Sequence, residues 1–515
     1  MLLTWLVHHG TQPGTPRDRA VHAVVPSAGR SLWGTVWSIS DQLGIVTRSP
    51  AELLTTLKSD SRRTVIVLPD LHDDTTVDLV GDLAALPHLK LIVESRTGSA
   101  AHHRLTGSGC AELDLDLEQW RDQARFADWQ VSLPTPRRSA TALDRSTMDL
   151  ADPETVCNAD PWLVTAAFEG EHHQHGGLRN AWARAGQSLL RDQSPGSRAL
   201  SLLSVLGDGA DPRTAPALTQ IAASEPWQVA WSRVRGDVTP PWPGPVTTMT
   251  KAQGRLADAV LIADHTGTIR AINTGDATAR GRLPQTETQP NSMSMTQDGT
   301  LLMLDGSGRV RMDNTWTARA RPAGLADLLE DIPTAGDRLM SALHDHTGTA
   351  IAWGTGHDTG LVALGDASGT VHTVGDVTSS AELHNGPVRD LTVLRLPLDE
   401  ETSAPIVYSG GADGTVRAWA PGHPAMPEPV IERNCPVVSL DAALSPGGPV
   451  LAVAWTDGTV TWIACNTGEE LRFRPGPPVR AIAMTAPDRL VIGMDEAVTC
   501  MTVKTSAGRG DATAH

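Results

Sequence analysis

The stretch Ser409-Gly410-Gly411-Ala412-Asp413-Gly414-Thr415-Val416-Arg417-Ala418-Trp419 has the chemistry of a β-hairpin. Asp-Gly supplies the positive φ that a tight turn needs, and apolar or β-branched residues flank it on both sides. The same pattern recurs through the second half of the chain: an apolar run, a small polar turn with Gly, then a β-branched residue. Its copies are Asp264-His265-Thr266-Gly267-Thr268-Ile269, Asp305-Gly306-Ser307-Gly308-Arg309-Val310, Asp366-Ala367-Ser368-Gly369-Thr370-Val371 and Thr456-Asp457-Gly458-Thr459-Val460. A worn last copy reads Met494-Asp495-Glu496-Ala497-Val498.

Between the turn positions Gly267, Gly308, Gly369, Gly414, Gly458 and Ala497 the steps are 41, 61, 45, 44 and 39 residues. Steps of about 40–45 residues match a four-stranded propeller blade. The long step carries about 20 extra residues, too few for another blade. Within it, residues 322–345 place Leu325, Leu328, Leu329 and Ile332 on one helical stripe, so a helical insertion between the second and third blades is expected. Six blades are therefore expected, with seven as the alternative. The last copy offers strands at 479–484, 489–493 and 498–503 before a polar tail at 505–515, so its blade lacks an outer strand. An open edge there would invite aggregation. Residues Trp227 to Val234 alternate apolar and polar with period two and are the expected closing strand, pairing beside 498–503. The first blade's own first strand is expected near 245–249.

The Ser409–Trp419 segment resembles the end of a WD repeat, and His384-Asn385-Gly386-Pro387-Val388-Arg389-Asp390 resembles such a repeat's opening. The resemblance implies that His384, Ser409, Asp413 and Trp419 form the family's hydrogen-bonded structural tetrad. It is strong in this repeat and weak in the other five. Trp462, for instance, follows Val460 by two residues instead of three.

The first half has a different texture. Val21–Val25, Thr64–Leu68 and Leu89–Val93 are apolar strand runs separated by helical stretches, as in α/β folds. The turn Pro26-Ser27-Ala28-Gly29-Arg30-Ser31 follows the first run, Pro69-Asp70 the second, and Glu94-Ser95-Arg96 the third. Together they resemble the P-loop core of STAND-class NTPases, signalling ATPases that often carry WD propellers. The phosphate loop itself is degenerate. Val24 stands at the first Gly position and Arg30 at the Lys position, leaving only Gly29 and Ser31 of the motif, with Asp70 as the metal-holding acid. Val disfavours the backbone that wraps phosphates, and an Arg fork does not replace a Lys point charge. The resemblance thus implies an inactive member of the class.

The expected domains are an inactive NTPase-like α/β domain over 1–130, a Pro/Ser/Thr-rich linker over 131–160, a helical region over 161–226, the propeller over 227–504 and a flexible tail over 505–515. In the helical region Leu178, Trp182, Leu189 and Leu190 fit one amphipathic segment, and Ala199–Leu206 another.

The 515 residues carry a net charge of −17, which argues against nucleic acid and anionic membrane surfaces as partners. No run approaches the roughly 20 apolar residues of a membrane span. The five scattered cysteines fit reduced thiols in a cytoplasmic protein. Catalytic and metal chemistry find little purchase. In Glu171-His172-His173-Gln174-His175 only His172 and His175 would share a helix face, and a solvated loop is expected there. His8-His9 and His102-His103 are read the same way. Asp70-Leu71-His72-Asp73-Asp74 could hold Mg²⁺, but without a phosphate loop that metal has nothing to bridge. No catalytic residue, cofactor or metal is expected. The 15 Trp are core anchors by default, and partner anchors where exposed on a propeller rim.

The expected function is a protein-binding scaffold or sensor, a propeller joined to an inactive STAND-like adaptor. Proteins of this kind are associated with bacterial signalling and conflict systems, and a composition rich in Ala, Gly, Arg, Asp and Thr suits a high-GC bacterium. The rivals are a nucleotide-dependent STAND ATPase switch and a propeller enzyme, which would need acids or histidines gathered at the central channel, and no repeat-phased set of that kind appears in the sequence. The partner's identity, the trigger and the oligomeric state are not readable from the sequence.

Overall fold

A computed structural model describes residues 2–504 apart from 13, 17–18, 28–29, 61, 72–73, 108, 116, 119–147, 235–244, 284–288, 315–346, 355–359, 376–377 and 399–401. The chain forms two compact units, Met1–Gln193 and Ser194–His515.

The first unit is built on a parallel sheet. Helix α1 (Leu2–Gly10) precedes β1 (Ala23–Val24), followed by α2 (Leu32–Gln42), α3 (Pro50–Ser59), β2 (Thr64–Leu71), α4 (Asp74–Ala84), β3 (Leu89–Ser95) and α5 (Ala100–Thr106). The strand order is β1-β2-β3, with Ala23 opposite Ile66 and Val65 opposite Lys90. Ile66, Val67 and Leu68 are fully buried, which is why β2 is a continuous apolar run and does not alternate. Helices α6 (Pro153–Asn158), α7 (Pro161–Gly170) and α8 (Leu178–Ala185) complete the unit. Helix α6 lies inside the expected linker: Asp152 caps it by accepting from the Glu154 and Thr155 amides, and Pro153 stands at its first position. The amphipathic segment expected from Leu178 to Leu190 is broken at Gly186, whose φ of 54° stops α8, and a 3-10 turn carries on to Leu190.

The second unit opens with α9 (Pro195–Leu203) and α10 (Thr214–Ile221), then β4 (Trp227–Val234). Six antiparallel sheets follow around one ring. The first blade is β5 (Val246–Lys251), β6 (Ala259–Asp264), β7 (Ile269–Asn273) and β8 (Ala279–Arg282). The second is β9 (Ser292–Met295), β10 (Leu301–Leu304) and β11 (Val310–Asp313), and the third is β12 (Ala350–Gly354), β13 (Leu361–Gly365), β14 (Thr370–Gly375) and β15 (Ser379–Glu382). The fourth is β16 (Val388–Pro397), β17 (Ser403–Gly411), β18 (Thr415–Trp419) and β19 (Ile431–Glu432). The fifth is β20 (Val437–Ser445), β21 (Gly448–Trp455), β22 (Val460–Ala464) and β23 (Glu469–Phe473). In the sixth, β24 (Val479–Ala486), β25 (Arg489–Met494) and β26 (Ala497–Val503) pair in order, and β4 supplies the outer strand. Val498 faces Arg233 and Val503 faces Trp227 across that closure. The chain is thus a six-bladed β-propeller in its second half. The helical insertion expected at 322–345 lies outside the described residues.

The hydrophobic core is a series of seams between neighbouring blades. The closing seam joins Trp231, Val246, Val260, Val491, Val498 and Cys500. The seam between the fourth and fifth blades joins Tyr408, Val416, Val437, Leu440, Leu451 and Trp455. Close approach is enforced at Gly410, where a Cβ would collide with Val437 and Leu440 of the next blade.

Candidate functional site

β1 leads through Val25, Pro26 and Ser27 toward α2, as a phosphate loop would, but three of the described backbone donors are engaged. Val25 N–H donates to the Val67 carbonyl at 2.9 Å, Ser27 N–H to the Pro69 carbonyl at 2.9 Å, and Arg30 N–H to the Ser27 carbonyl at 3.1 Å. Val24 is held at both backbone ends by the Gln42 amide, at 2.8 and 2.9 Å. Gly29 lies outside the described residues. The Arg30 guanidinium lies 3.8 Å from the centre of the Trp162 ring, a cation–π contact. Ser31 is the N-cap of α2, its hydroxyl accepting from Gly34 N–H at 3.2 Å. A carboxylate of the same chain sits at this helix end: Glu169 accepts from Trp33 N–H at 3.1 Å. A helix N-terminus attracts anions through its free N–H groups and dipole, and here Glu169 supplies the anion. Asp70 is exposed with φ of 56°, at a bulge where the β2–β3 register shifts.

In the fourth blade His384 is buried and central to a polar network. Its Nε2 is 2.8 Å from the Ser409 hydroxyl, and its Nδ1 is 3.2 Å from Asp413 and 3.0 Å from the Thr415 hydroxyl. Asp413 also accepts from Asn385 N–H at 2.9 Å and Thr415 N–H at 3.1 Å. Burial pushes the His384 pKa down, opposed by the Asp413 charge. Trp419 bonds outside this network. It is buried, but its single indole N–H donates to the His423 carbonyl at 2.8 Å, in the loop after β18. One donor hydrogen serves one such bond, so Trp419 is not linked to Ser409, and Thr415 stands in the network instead.

Two aspartates that sequence reasoning did not single out lie on the innermost strands. Asp390 on β16 reaches into the fifth blade, accepting from the Ser439 hydroxyl at 2.6 Å and Leu440 N–H at 2.9 Å. Asp441 on β20 accepts from Met484 N–H of the sixth blade at 2.7 Å and from the Thr392 hydroxyl of the fourth at 3.0 Å. They are cross-braces between blades. Burial outweighs these hydrogen bonds at Asp390 and pushes its pKa up to about 6, and raises that of Asp441 too. The available signal was an acid inside an otherwise apolar strand, in VRDLTV and VSLDAA.

Blades four and five differ from the early blades in shape. Their innermost strands run 10 and 9 residues, against 6, 4 and 5 in blades one to three. The extra length carries the first hairpin of each blade outward, and their tips expose Leu398 (70%) and Leu444 (41%). Innermost strands of successive blades run the same way around a propeller, so these two tips share a face. The histidines of the 171–175 segment lie beyond the end of α7, where Glu171 accepts from the His172 and His173 amides. Among the described residues no three His, Cys, Asp or Glu converge as a metal site would require. No helix among them is long and apolar enough to cross a membrane.

No family model matches the chain, and no curated protein does. Solved structures similar to it include the WD40 repeats of RRP9, at 14% identity and TM-score 0.34 over 54% of this chain and 98% of that one. The WD40 β-propeller domain of Doa1 matches at 11% identity and TM-score 0.35, over 55% and 98%. The computationally designed Ika8 protein matches at 18% identity and TM-score 0.29, over 50% and 71%. The propeller assignment stands on the six sheets themselves.

Proposed function

We propose that this chain is a non-catalytic interaction scaffold, a partner-binding propeller joined to an inactive STAND-like adaptor that works in the cytoplasm. The observation that carries the adaptor half is the Glu169 carboxylate on the N-terminus of α2. A nucleotide phosphate would have to displace a tethered anion, find Arg30 lifted off its stack on Trp162, and gather N–H donors that already serve carbonyls. In the propeller the acids and His384 serve turns and blade seams, which favours binding over chemistry. Its partner is a protein, and the paired tips bearing Leu398 and Leu444 are the contact surface, since exposed large apolar side chains on one face mark interaction sites. A place in a bacterial signalling or conflict system accords with this build.

Two measurements test the reading. A fluorescent ATP analogue with Mg²⁺ shows no saturable binding to the full chain. A dissociation constant below about 100 µM that Ser31→Ala abolishes overturns the adaptor half. Once a stoichiometric partner is purified, Leu398→Asp with Leu444→Asp weakens its binding tenfold or more, about 1.4 kcal/mol, without moving Tm. Unchanged affinity removes these tips from the interface.

A further inference from the structure

A cavity of about 750 Å³ lies within the first unit, between α1, residues 14–16 and 19–21, and one face of the parallel sheet. Its volume is that of a small-molecule site. The sheet side is set by strand alternation. Thr64 and Ile66 are buried on the opposite face, while Arg63, Val65, Lys90 and Ile92 line the cavity, with Val65 and Lys90 side by side in the register. The roof is α1, which contributes Trp5, Leu6 and His9, and Val21 N–H ties the returning chain to the Gly10 carbonyl at 2.8 Å.

Two features set this cavity apart. Its walls are apolar: Leu6, Val21, Val65, Ile92 and the ring of Trp5, which is 51% exposed although large and aromatic. Its rim is cationic, with Arg19, Arg63 and Lys90 all exposed, and among the described residues no carboxylate pairs with any of them. Three cations gathered on one cavity are out of keeping with a chain of net charge −17. Apolar walls with convergent charge at the mouth are the chemistry of a site for an amphiphilic anion.

We infer that this cavity binds a small amphiphilic anion, its apolar body against Trp5, Leu6 and Ile92 and its carboxylate or phosphate held by Arg63, Lys90 and Arg19. The site lies apart from the α2 N-terminus, so it stands whether or not the adaptor reading does. The body is aliphatic or aromatic, and the two sources are separated by the probe.

The test is calorimetric titration of the full-length protein with decanoate, with adenosine monophosphate and with inorganic phosphate. One amphiphile binds saturably to a single site at least tenfold more tightly than inorganic phosphate, and which one it is identifies the body. Arg63→Ser with Lys90→Glu weakens that binding tenfold or more with Tm unchanged, since both side chains are exposed. Leu6→Trp, which fills the cavity without adding charge, weakens it as well. Ser31→Ala leaves it alone. The inference is overturned if neither amphiphile binds at millimolar concentration, if inorganic phosphate binds as tightly as both, or if the Arg63/Lys90 variant binds like wild type.

Discussion

Single side chains decide how the fourth blade is held. His384 bridges Ser409, Asp413 and Thr415, so His384→Ala takes the imidazole from the fully buried Ser409 hydroxyl and leaves a cavity among them. It should cost about 2–3 kcal/mol in denaturant unfolding. Trp419→Phe removes only the bond to the His423 carbonyl and should cost about 1 kcal/mol, while Trp419→Ala opens a cavity worth about 3–5 kcal/mol. If Trp419→Phe is as damaging as His384→Ala, the indole N–H serves the network after all. Asp390 gives a pH signature. Its folded pKa of about 6 lies above the ordinary aspartate value near 3.9, so the folded protein holds the proton more tightly than the unfolded chain. The stability this contributes is complete below about pH 4 and disappears as pH rises through about 6. Relative to Asp390→Asn, wild type should therefore lose up to about 3 kcal/mol between those limits, measured by urea unfolding at each pH. A wild-type advantage that grows with pH contradicts the assignment.

At the scale of elements the repeated turn is one backbone solution reached by two side-chain arrangements. All five turn glycines have φ between 78° and 98°. In the first three blades an Asp three residues earlier clamps the turn: Asp305 accepts from the Ser307 and Arg309 amides, and Asp366 from the Ser368 and Thr370 amides. In the fourth and fifth blades the Asp sits immediately before the Gly and accepts from the Thr415 or Thr459 amide. Burial raises the Asp366 pKa, but the Ser368 hydroxyl, the His372 ring and the Ser368 and Thr370 amides outweigh it and hold the carboxyl down at about 2. Gly369 does more than turn. A Cβ there would collide with the His384 carbonyl, whereas Gly468, with φ of 71°, faces open space. Gly468→Ala should cost about 1 kcal/mol and Gly369→Ala at least about 2 kcal/mol more, compared by thermal or urea unfolding. Equal costs would mean that only φ matters at these turns.

For the whole molecule the decisive feature is that the ring closes with a strand far from its end in sequence. β4 covers the edge of β26, Lys504 N–H donates to the Pro226 carbonyl at 2.8 Å, and the Lys504 ammonium reaches the Ala223 carbonyl at 2.9 Å. Helix α9 belongs to the same unit, its Ser201 hydroxyl donating to the Arg474 carbonyl at 3.0 Å. Deleting residues 1–193 should leave a monodisperse, cooperatively unfolding protein. Deleting 1–235 strips β4 from β26 and should yield aggregates, because an apolar edge strand is left unpaired. Size-exclusion chromatography and light scattering distinguish the two, and identical behaviour would show that β4 is dispensable.

The propeller was legible in the sequence because a blade is a local object. Gly at a positive-φ turn and apolar strands on either side recur at a fixed step, and neither depends on distant contacts. Period-two alternation likewise marked Trp227–Val234 as a strand, and the missing outer strand of the last blade named its partner. What only the tertiary structure decided is where polar groups find partners. Trp419 chose the carbonyl of His423 over Ser409, Asp390 and Asp441 became braces across blades, and Glu169 came to rest on a helix end 136 residues earlier in the chain. Apolar burial is non-directional and leaves a periodic trace in the sequence, whereas a hydrogen bond needs one atom within about 3 Å of another. That condition is met only after distant segments have been packed together.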